Sequence, residues 1–345
     1  MKNILRNRTA DLLKGIAVIF MVQVHLMELF AKQEIYDSFT GKLSLYLGGP
    51  PAAPIFMAVM GYYIAVSKKT ARQMVIRGVR IIALGLLLNI GLNFHLLLNI
   101  YKGVFQFSPL PYIFGVDILF LAGLSIIVLA LMKKYFGYRL TPYVLLLLMV
   151  QALQYLLKDV YHVTTTSYPA AFLYGEGCWW AYFPLIPWLS YPLTGYIFFI
   201  LQKEKYNSLK PFYPYFAVTA AFITGLFFEY GLQVSSNLEV YYHHDFVFFL
   251  YTLSFMIFWL FIINGLARLP RNSVSGFLAW TGVNVTAAYV VQWLIIGNVA
   301  TSIYRTQDRT ALVVWFALVI FLMSMGVVLW NIFKQKSREK SSMKI

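Results

Sequence analysis

Cysteine is almost absent: Cys178 is the only one in 345 residues. That excludes an internal disulfide and leaves no partner for a cysteine-based zinc motif, so no metal site is expected. Charge is scarce too, at 12% of residues, and acids are outnumbered by bases, 13 to 28. A soluble or disordered chain carries more charge and less apolar surface than this. With 60% hydrophobic residues and a mean hydropathy of +0.69, the composition describes a polytopic helical membrane protein. Nothing is left over for a soluble domain, and residues 1–345 read as a single all-α transmembrane unit. The formal charge of +15 raises nucleic acid as a partner, but the basic residues sit in short gaps between apolar runs, where cytoplasmic membrane loops collect them. The bilayer is the expected partner, nucleic acid is not, and the bundle is compatible with a homodimer.

Ten apolar segments are long enough to cross a hydrocarbon core of roughly 30 Å. They run at about 12–31, 51–67, 74–97, 112–132, 141–157, 180–201, 212–231, 246–267, 277–298 and 310–333. The amino terminus is basic before its apolar run, as in a secretory signal, but no small-residue cleavage site follows, and it reads as an uncleaved first span. If the amino terminus is inside, the inner segments hold Lys2, Arg6, Arg8, Lys14, the 68–80 cluster, Lys133, Lys134, Arg139, Lys203, Lys205, Lys210, Arg268, Arg271 and the carboxyl-terminal lysines. Only Lys32, Lys42, Lys102, Lys158, Arg305 and Arg309 are then outside. The positive-inside rule therefore sets both termini in the cytoplasm of a multi-pass protein of the cell membrane, a bacterial inner membrane or its equivalent. Acidic residues take the opposite side: Glu34, Asp37, Asp159, Glu176, Glu229, Glu239, Asp245 and Asp308 all fall at outer ends. The longer outer loops, about 32–50, 158–179 and 231–246, add Tyr, Trp and His, a mixture suited to sugars or amines and equally to interfacial anchoring. No internal repeat and no matching pair of broken helices is evident.

The first span holds ionisable groups that lipid tolerates poorly: Asp11, Lys14, His25 and Glu28. At about 100° per residue, the eleven-residue step from Lys14 to His25 returns to nearly the same helical face, with a rise of about 16 Å. One end suits a phosphate and the other a reacting group deep in the bilayer. His25 is the one histidine well inside a span; His162, His243 and His244 fall in outer loops and His95 near an outer helix end. Acyl transfer from a thioester to an alcohol or amine needs a base for the nucleophile's proton and donors for the developing oxyanion. His25 is the candidate base or acyl carrier, and Glu28, one turn on, would orient it. Lys14, Arg77 and Arg80 would form a cationic mouth for a phosphate-bearing donor if spans one and three are neighbours. Asp117, entering a span from outside, would bind an acceptor's amine or hydroxyl or pair with a polar neighbour on another helix. Asn284 and Gln292 would offer amides to an acyl carbonyl or knit helices together.

The pattern Asp-x-x-Lys-Gly followed by His25, eleven residues after Lys14, resembles the integral-membrane acyltransferase superfamily, comprising acyltransferase family 3 and the heparan-α-glucosaminide N-acetyltransferase-like proteins. Further segments resemble it in order: Pro51-Ala-Ala-Pro54-Ile-Phe56 through Gly61, Arg77-Gly-Val-Arg80, Ile113-Phe-Gly115-Val-Asp117, Phe183-Pro184-Leu-Ile-Pro187-Trp188, and Thr281-Gly282-Val-Asn284 through Tyr289, Gln292 and Trp293. The resemblance implies acetyl-CoA as donor, a glycan or lipid-linked sugar as acceptor, and a place for Trp188 among the substrate contacts. Four positions depart from the pattern, one of them Asp117, which stands where the family usually has a neutral residue. Lys14 replaces arginine, Gln292 replaces a histidine, and His25 stands where the heparan-type branch often has asparagine. The competing readings are a proton-coupled transporter using Asp117, His25 and Glu28, and an enzymatically silent scaffold.

Overall fold

A computed structural model describes residues 7–158, 167–175 and 177–342. Asp159, His162, Glu176, Lys2, Arg6 and Lys344 lie outside the described residues, as do the side chains of Arg338 and Lys340. In hydrocarbon each unbonded peptide group costs several kcal/mol, so an apolar chain satisfies its own amides as helix. The described chain does so almost throughout. Its helices are α1 (Arg8–Leu29), α2 (Gln33–Tyr36), α3 (Phe39–Gly48), α4 (Ala53–Val66), α5 (Ala71–Leu92), α6 (Phe94–Tyr101), α7 (Leu110–Phe114), α8 (Ile118–Phe136), α9 (Leu140–Leu157) and α10 (Tyr168–Leu173). They continue as α11 (Leu185–Trp188), α12 (Ser190–Leu209), α13 (Tyr213–Leu226), α14 (Phe228–Ser236), α15 (Leu238–Tyr242), α16 (Phe246–Arg268), α17 (Ser273–Val283), α18 (Val285–Ile303) and α19 (Arg309–Ser342). The fold is an all-α polytopic bundle. Among the described residues nine helical stretches are long and apolar enough to cross a membrane. One of them, Leu185–Leu226, turns at the 3-10 segment Lys210–Phe212 and holds two of the ten expected spans as α12 and α13.

Several sequence expectations need correction. Residues 32–50 are not a free outer loop. Ser38 caps α3 by accepting from the Gly41 N–H, and α3 packs on α1 and α14. Gln23 of α1 donates to the Ser44 carbonyl at 2.8 Å. The chain then turns at Gly49–Ala52 into α4, so the second apolar stretch begins at Phe39 rather than near residue 51. Among the described residues three helices also give way to the next at a single non-helical residue. α5 gives way to α6 at Asn93 (φ −96°, ψ 12°), α13 to α14 at Phe227 (φ −102°, ψ 20°), and α17 to α18 at Asn284 (φ −102°, ψ 20°).

The α1 helix lies in the middle, with Ala17, Val18 and Val22 fully buried, and it packs on α3, α4, α16, α17, α18 and α19. Its amino-terminal end is tied down by Arg8, which donates to the Ala267 and Leu269 carbonyls at 2.8 and 2.7 Å and to Ser275 Oγ at 3.2 Å. Those carbonyls end α16, where helical carbonyls lack partners and the helix dipole favours a cation. A few residues on, Gly15 faces Gly282 of α17 so closely that a Cβ on Gly15 would drive into the Leu278 carbonyl oxygen, and one on Gly282 into that of Asp11. Gly61 of α4 and Gly195 of α12 meet in the same way through the Pro192 and Ala58 carbonyls. Small residues let membrane helices approach backbone to backbone, where Cα–H groups contact carbonyls.

Candidate functional site

Three helices bring the site together. His25 and Glu28 come from the far half of α1, Asp117 caps α8 by accepting from the Leu119 N–H at 3.0 Å, and α18 supplies Tyr289, Gln292 and Trp293. The break at Asn284 makes this possible, because it separates α17, which lies on α1, from α18, which reaches α5 and α19 as well as α1. Asn284 is spent on that break. Its amide donates to the Trp280 carbonyl at 2.9 Å and accepts from Asn331 of α19 at 3.0 Å, so the structure gives it the knitting role of its two expected ones.

His25 Nδ1 stands 3.6 Å from a Glu28 carboxylate oxygen, beyond hydrogen-bond distance, and both side chains are 14% exposed. The imidazole lies against the Trp293 indole, with ring centroids 4.0 Å apart and planes at 36°. The Tyr289 hydroxyl donates to Asp117 Oδ1 at 2.8 Å across 172 positions of sequence. His25 is also within electrostatic reach of Asp117. Sequence reasoning placed no cationic group near Asp117 and missed Tyr289 and Trp293 as site residues. The signals for them were their place in the segment that resembles the family's late signature and their spacing of three and one from Gln292, which puts all three near one side of α18. Four side chains here hold buried polar atoms with no hydrogen-bond partner in the protein: His25 Nδ1, Asp117 Oδ2, both amide atoms of Gln292 and Trp293 Nε1.

Beyond Glu28 stands a group of tyrosines. Tyr36, Tyr182, Tyr241 and Tyr242 all lie within electrostatic reach of its carboxylate. Burial, helped by Glu28, pushes Tyr36 up to about 12. Burial likewise raises Tyr182 and Tyr242 well above the usual tyrosine range. These phenols therefore stay protonated and able to donate.

The wall behind them is residues 241–245, held by three side chains. Trp188 Nε1 donates to the Tyr242 carbonyl and Gln154 Nε2 to the His243 carbonyl, both at 2.8 Å. His244 sits 2.9 Å from both the Tyr241 carbonyl and the Tyr191 hydroxyl. Trp188 is completely buried and ringed by Phe183, Tyr191, Tyr241 and His244. It has no free surface for a ligand and positions Tyr242 instead, which corrects its placement among substrate contacts.

His244 gives a pH expectation. A carbonyl accepts only, so His244 Nδ1 carries the proton and Nε2 accepts from Tyr191. Burial holds His243 and His244 down to about 4. Between pH 6.5 and 4 the unfolded chain binds protons that the folded chain refuses, so stability is full above pH 6.5 and falls as pH drops toward 4. The loss traceable to His244 is on the order of 2–3 kcal/mol. Thermal unfolding in detergent at pH 7.5 and 5 should show it, and His244→Gln should remove roughly half of the dependence, His243 keeping the rest. An equally steep loss in that variant would assign it to other groups.

The cationic mouth is not assembled as expected. Lys14 Nζ lies 3.0 Å from Asp11 Oδ1 and stands over the Tyr63 ring, because α1 packs on α4 and α17 while α5, with Arg77 and Arg80, packs on α8 and α18. The premise that spans one and three are packed neighbours is not met. Arg77 and Arg80 are exposed. A cavity of about 250 Å³ opens at the amino-terminal end of α1, lined by Arg8, Asp11, Arg271, Ser275 and Trp280 among others. The Gly15–Gly282 contact lies between that cavity and His25 along α1.

Residues 6–225 match the family described as heparan-alpha-glucosaminide N-acetyltransferase, catalytic, which is well over half the chain. No curated protein matches it. The matched stretch includes His25, Glu28 and Asp117, while Tyr289, Gln292 and Trp293 lie beyond it.

Proposed function

The chain belongs to the heparan-alpha-glucosaminide N-acetyltransferase catalytic family, and from that premise we propose that it moves an acyl group, acetyl in the first instance, from acetyl-CoA to a hydroxyl or amine of an extracytoplasmic or lipid-linked glycan. One observation carries this reading: His25 Nδ1, Asp117 Oδ2 and Trp293 Nε1 are buried without a hydrogen-bond partner, and the His25 ring lies against Trp293 and within electrostatic reach of Asp117. An apolar bundle retains such atoms at a cost of a few kcal/mol each unless a guest supplies the missing bonds. A thioester carbonyl and an acceptor hydroxyl or amine are guests of that kind.

In the proposed reaction His25 takes the proton from the acceptor as its oxygen or nitrogen bonds to the acyl carbon. Asp117, steadied by Tyr289, stabilises the imidazolium that results. The Gln292 amide and the Trp293 N–H donate to the acyl oxygen as negative charge builds there. The carbon–sulfur bond then breaks, and the proton held by His25 passes to the departing sulfur, leaving a thiol. Glu28, at the tyrosine-lined side, holds the acceptor or orients the ring. The route through a transient acyl-His25 uses the same residues in two half-reactions.

The distribution of basic residues supports cytoplasmic termini and entry of the donor from that side, where the exposed Arg77 and Arg80 would meet its phosphates. Charge reversal at Arg80 is expected to weaken acetyl-CoA binding about tenfold or more, since a charge-assisted phosphate contact is worth roughly 1.5–3 kcal/mol. Titration of purified, monodisperse protein with acetyl-CoA measures it, and unchanged affinity would leave Arg80 as an orientation signal only. For the activity itself, labelled acetyl-CoA and a panel of glycans should yield labelled glycan with release of free thiol. Absence of both donor binding and thiol release would favour the transporter reading, to which the helix breaks at Asn93, Phe227 and Asn284 would then lend support.

A further inference from the structure

Residues 241–245 face two ways. Tyr241, Tyr242 and His244 turn their rings to Trp188, Tyr182 and Tyr191, whereas His243 and Asp245 line a second cavity, of about 280 Å³, together with Lys158, Tyr230, Glu239 and Phe248 among others. None of the residues given a part in acyl transfer lines it. The cavity lies where α9 ends and α16 begins, the ends remote from the basic segments 133–139 and 268–271. The 18 residues of α9 rise about 27 Å, close to the roughly 30 Å of a hydrocarbon core, so Lys158, the next residue, stands at the depth of lipid headgroups.

The charges around this cavity do not cancel one another. Lys158, Glu239 and Asp245 form no ion pair among the described residues. Asp245 is fixed at the start of α16, where its carboxylate accepts from the Phe248 N–H at 2.9 Å and the Tyr230 hydroxyl at 3.4 Å. The backbone of His243 is fixed as well, by Gln154 of α9 at its carbonyl, while burial holds its ring neutral down to about pH 4, with one nitrogen to donate and one to accept. No group of three His, Cys, Asp or Glu side chains among the described residues converges on a metal position, so Glu239, His243 and Asp245 surround a space and not a point. The Tyr230 and Phe248 rings stand beside Asp245 with centroids 6.4 Å apart. Exposed apolar side chains adjoin the lining residues: Leu156 on α9, Val240 on α15, and Val247 and Leu250 on α16.

We infer that this cavity holds a zwitterion pairing a phosphate with an ammonium, presented by the headgroup of a membrane lipid. Lys158 and the His243 ring meet the phosphate, and Glu239 and Asp245 meet the ammonium, with the two aromatic rings beside it. A ligand with one charge would leave the opposite charge of the cavity unmet. The acyl chains would run along the exposed apolar residues of α9 and α16, which a soluble headgroup would not use. The inference stands apart from the acyl-transfer reading, since the two sites share a wall and no side chain.

Native mass spectrometry of delipidated full-length protein, titrated separately with dioleoyl phosphatidylethanolamine, phosphatidylcholine and phosphatidylglycerol, tests it. At least one of the two zwitterionic lipids should be retained about tenfold more tightly than the anionic one, and which one it is shows whether the ammonium is primary or quaternary. Lys158→Gln and Glu239→Gln change exposed residues and should each erase that preference, the first at the phosphate end and the second at the ammonium end. Phosphatidylglycerol held as tightly as both zwitterions overturns the inference, as does a preference that survives in either variant. Free glycerophosphoethanolamine and glycerophosphocholine, added as competitors, separate the sources. Displacement of lipid only at a large excess supports a membrane lipid, and displacement at equal concentration overturns the lipid source while leaving the zwitterion.

Discussion

His25→Ala is expected to reduce acyl transfer by roughly 100- to 10,000-fold, the usual cost of losing a positioned base, while acetyl-CoA still binds. The two effects separate because Arg80 is an exposed residue of α5, whereas the His25 imidazole of α1 lies against Trp293 of α18. The imidazole touches Trp293, Glu28 and the neighbourhood of Asp117, so its removal gives up one ring contact between α1 and α18 and leaves the rest of the packing of α1 in place. A second variant makes the result more specific. His25 and Gln292 stand where the resembled pattern often has asparagine and histidine, so His25→Asn combined with Gln292→His should recover part of the lost turnover by supplying the base from α18. Transfer of labelled acetyl by monodisperse protein, with donor affinity measured alongside, checks both. Near-normal turnover in His25→Ala would remove the base from the mechanism.

The largest effect on stability is expected at Gly15. Gly15→Val would force α1 away from α17, since the new Cβ has the Leu278 carbonyl oxygen, a backbone atom, in its place. Overpacking usually costs about 1–3 kcal/mol and more where backbone rather than a side chain must yield, so a loss of about 3 kcal/mol is expected. The displacement would also be felt at the Asn284 break, two residues past Gly282, and so at the α18 side of the site. Gly276→Ala is the control on the facing helix, α17: a Cβ there meets nothing within 4 Å, and alanine should stabilise the helix by up to about 1 kcal/mol. Thermal unfolding in detergent compares them. Equal melting of Gly15→Val and the unaltered protein would mean the helices separate freely.

Much of this protein was legible in its residues, and what was legible followed from local rules. Apolar runs of membrane length had to become helices because lipid offers no partners to a peptide group. The ionisable groups of the first span stood out because lipid tolerates them poorly, and His25 and Glu28 do meet at one helix turn. Their spacing marked Lys14 as well, but as a phosphate ligand, whereas its ammonium is turned to Asp11. The reading stopped wherever a partner lay far away in sequence. Residues 39–48 read as loop because Lys42 and the Gly49-Pro50-Pro51 turn interrupt the apolar run, yet burial of Ser44, Leu45 and Tyr46 against α1 and α14 makes them a helix. The bond from Tyr289 to Asp117, the ring contact of His25 with Trp293, the commitment of Asn284 to Asn331, and the seat of Arg305 over Tyr36 join elements that sequence periodicity cannot pair. Composition and spacing determined that this chain is a helical membrane bundle with chemistry in its first span. Tertiary packing alone decided which polar atoms end without a partner, because helix periodicity sets only the face a side chain occupies, and the neighbour that face meets is chosen by close contacts such as Gly15 with Gly282.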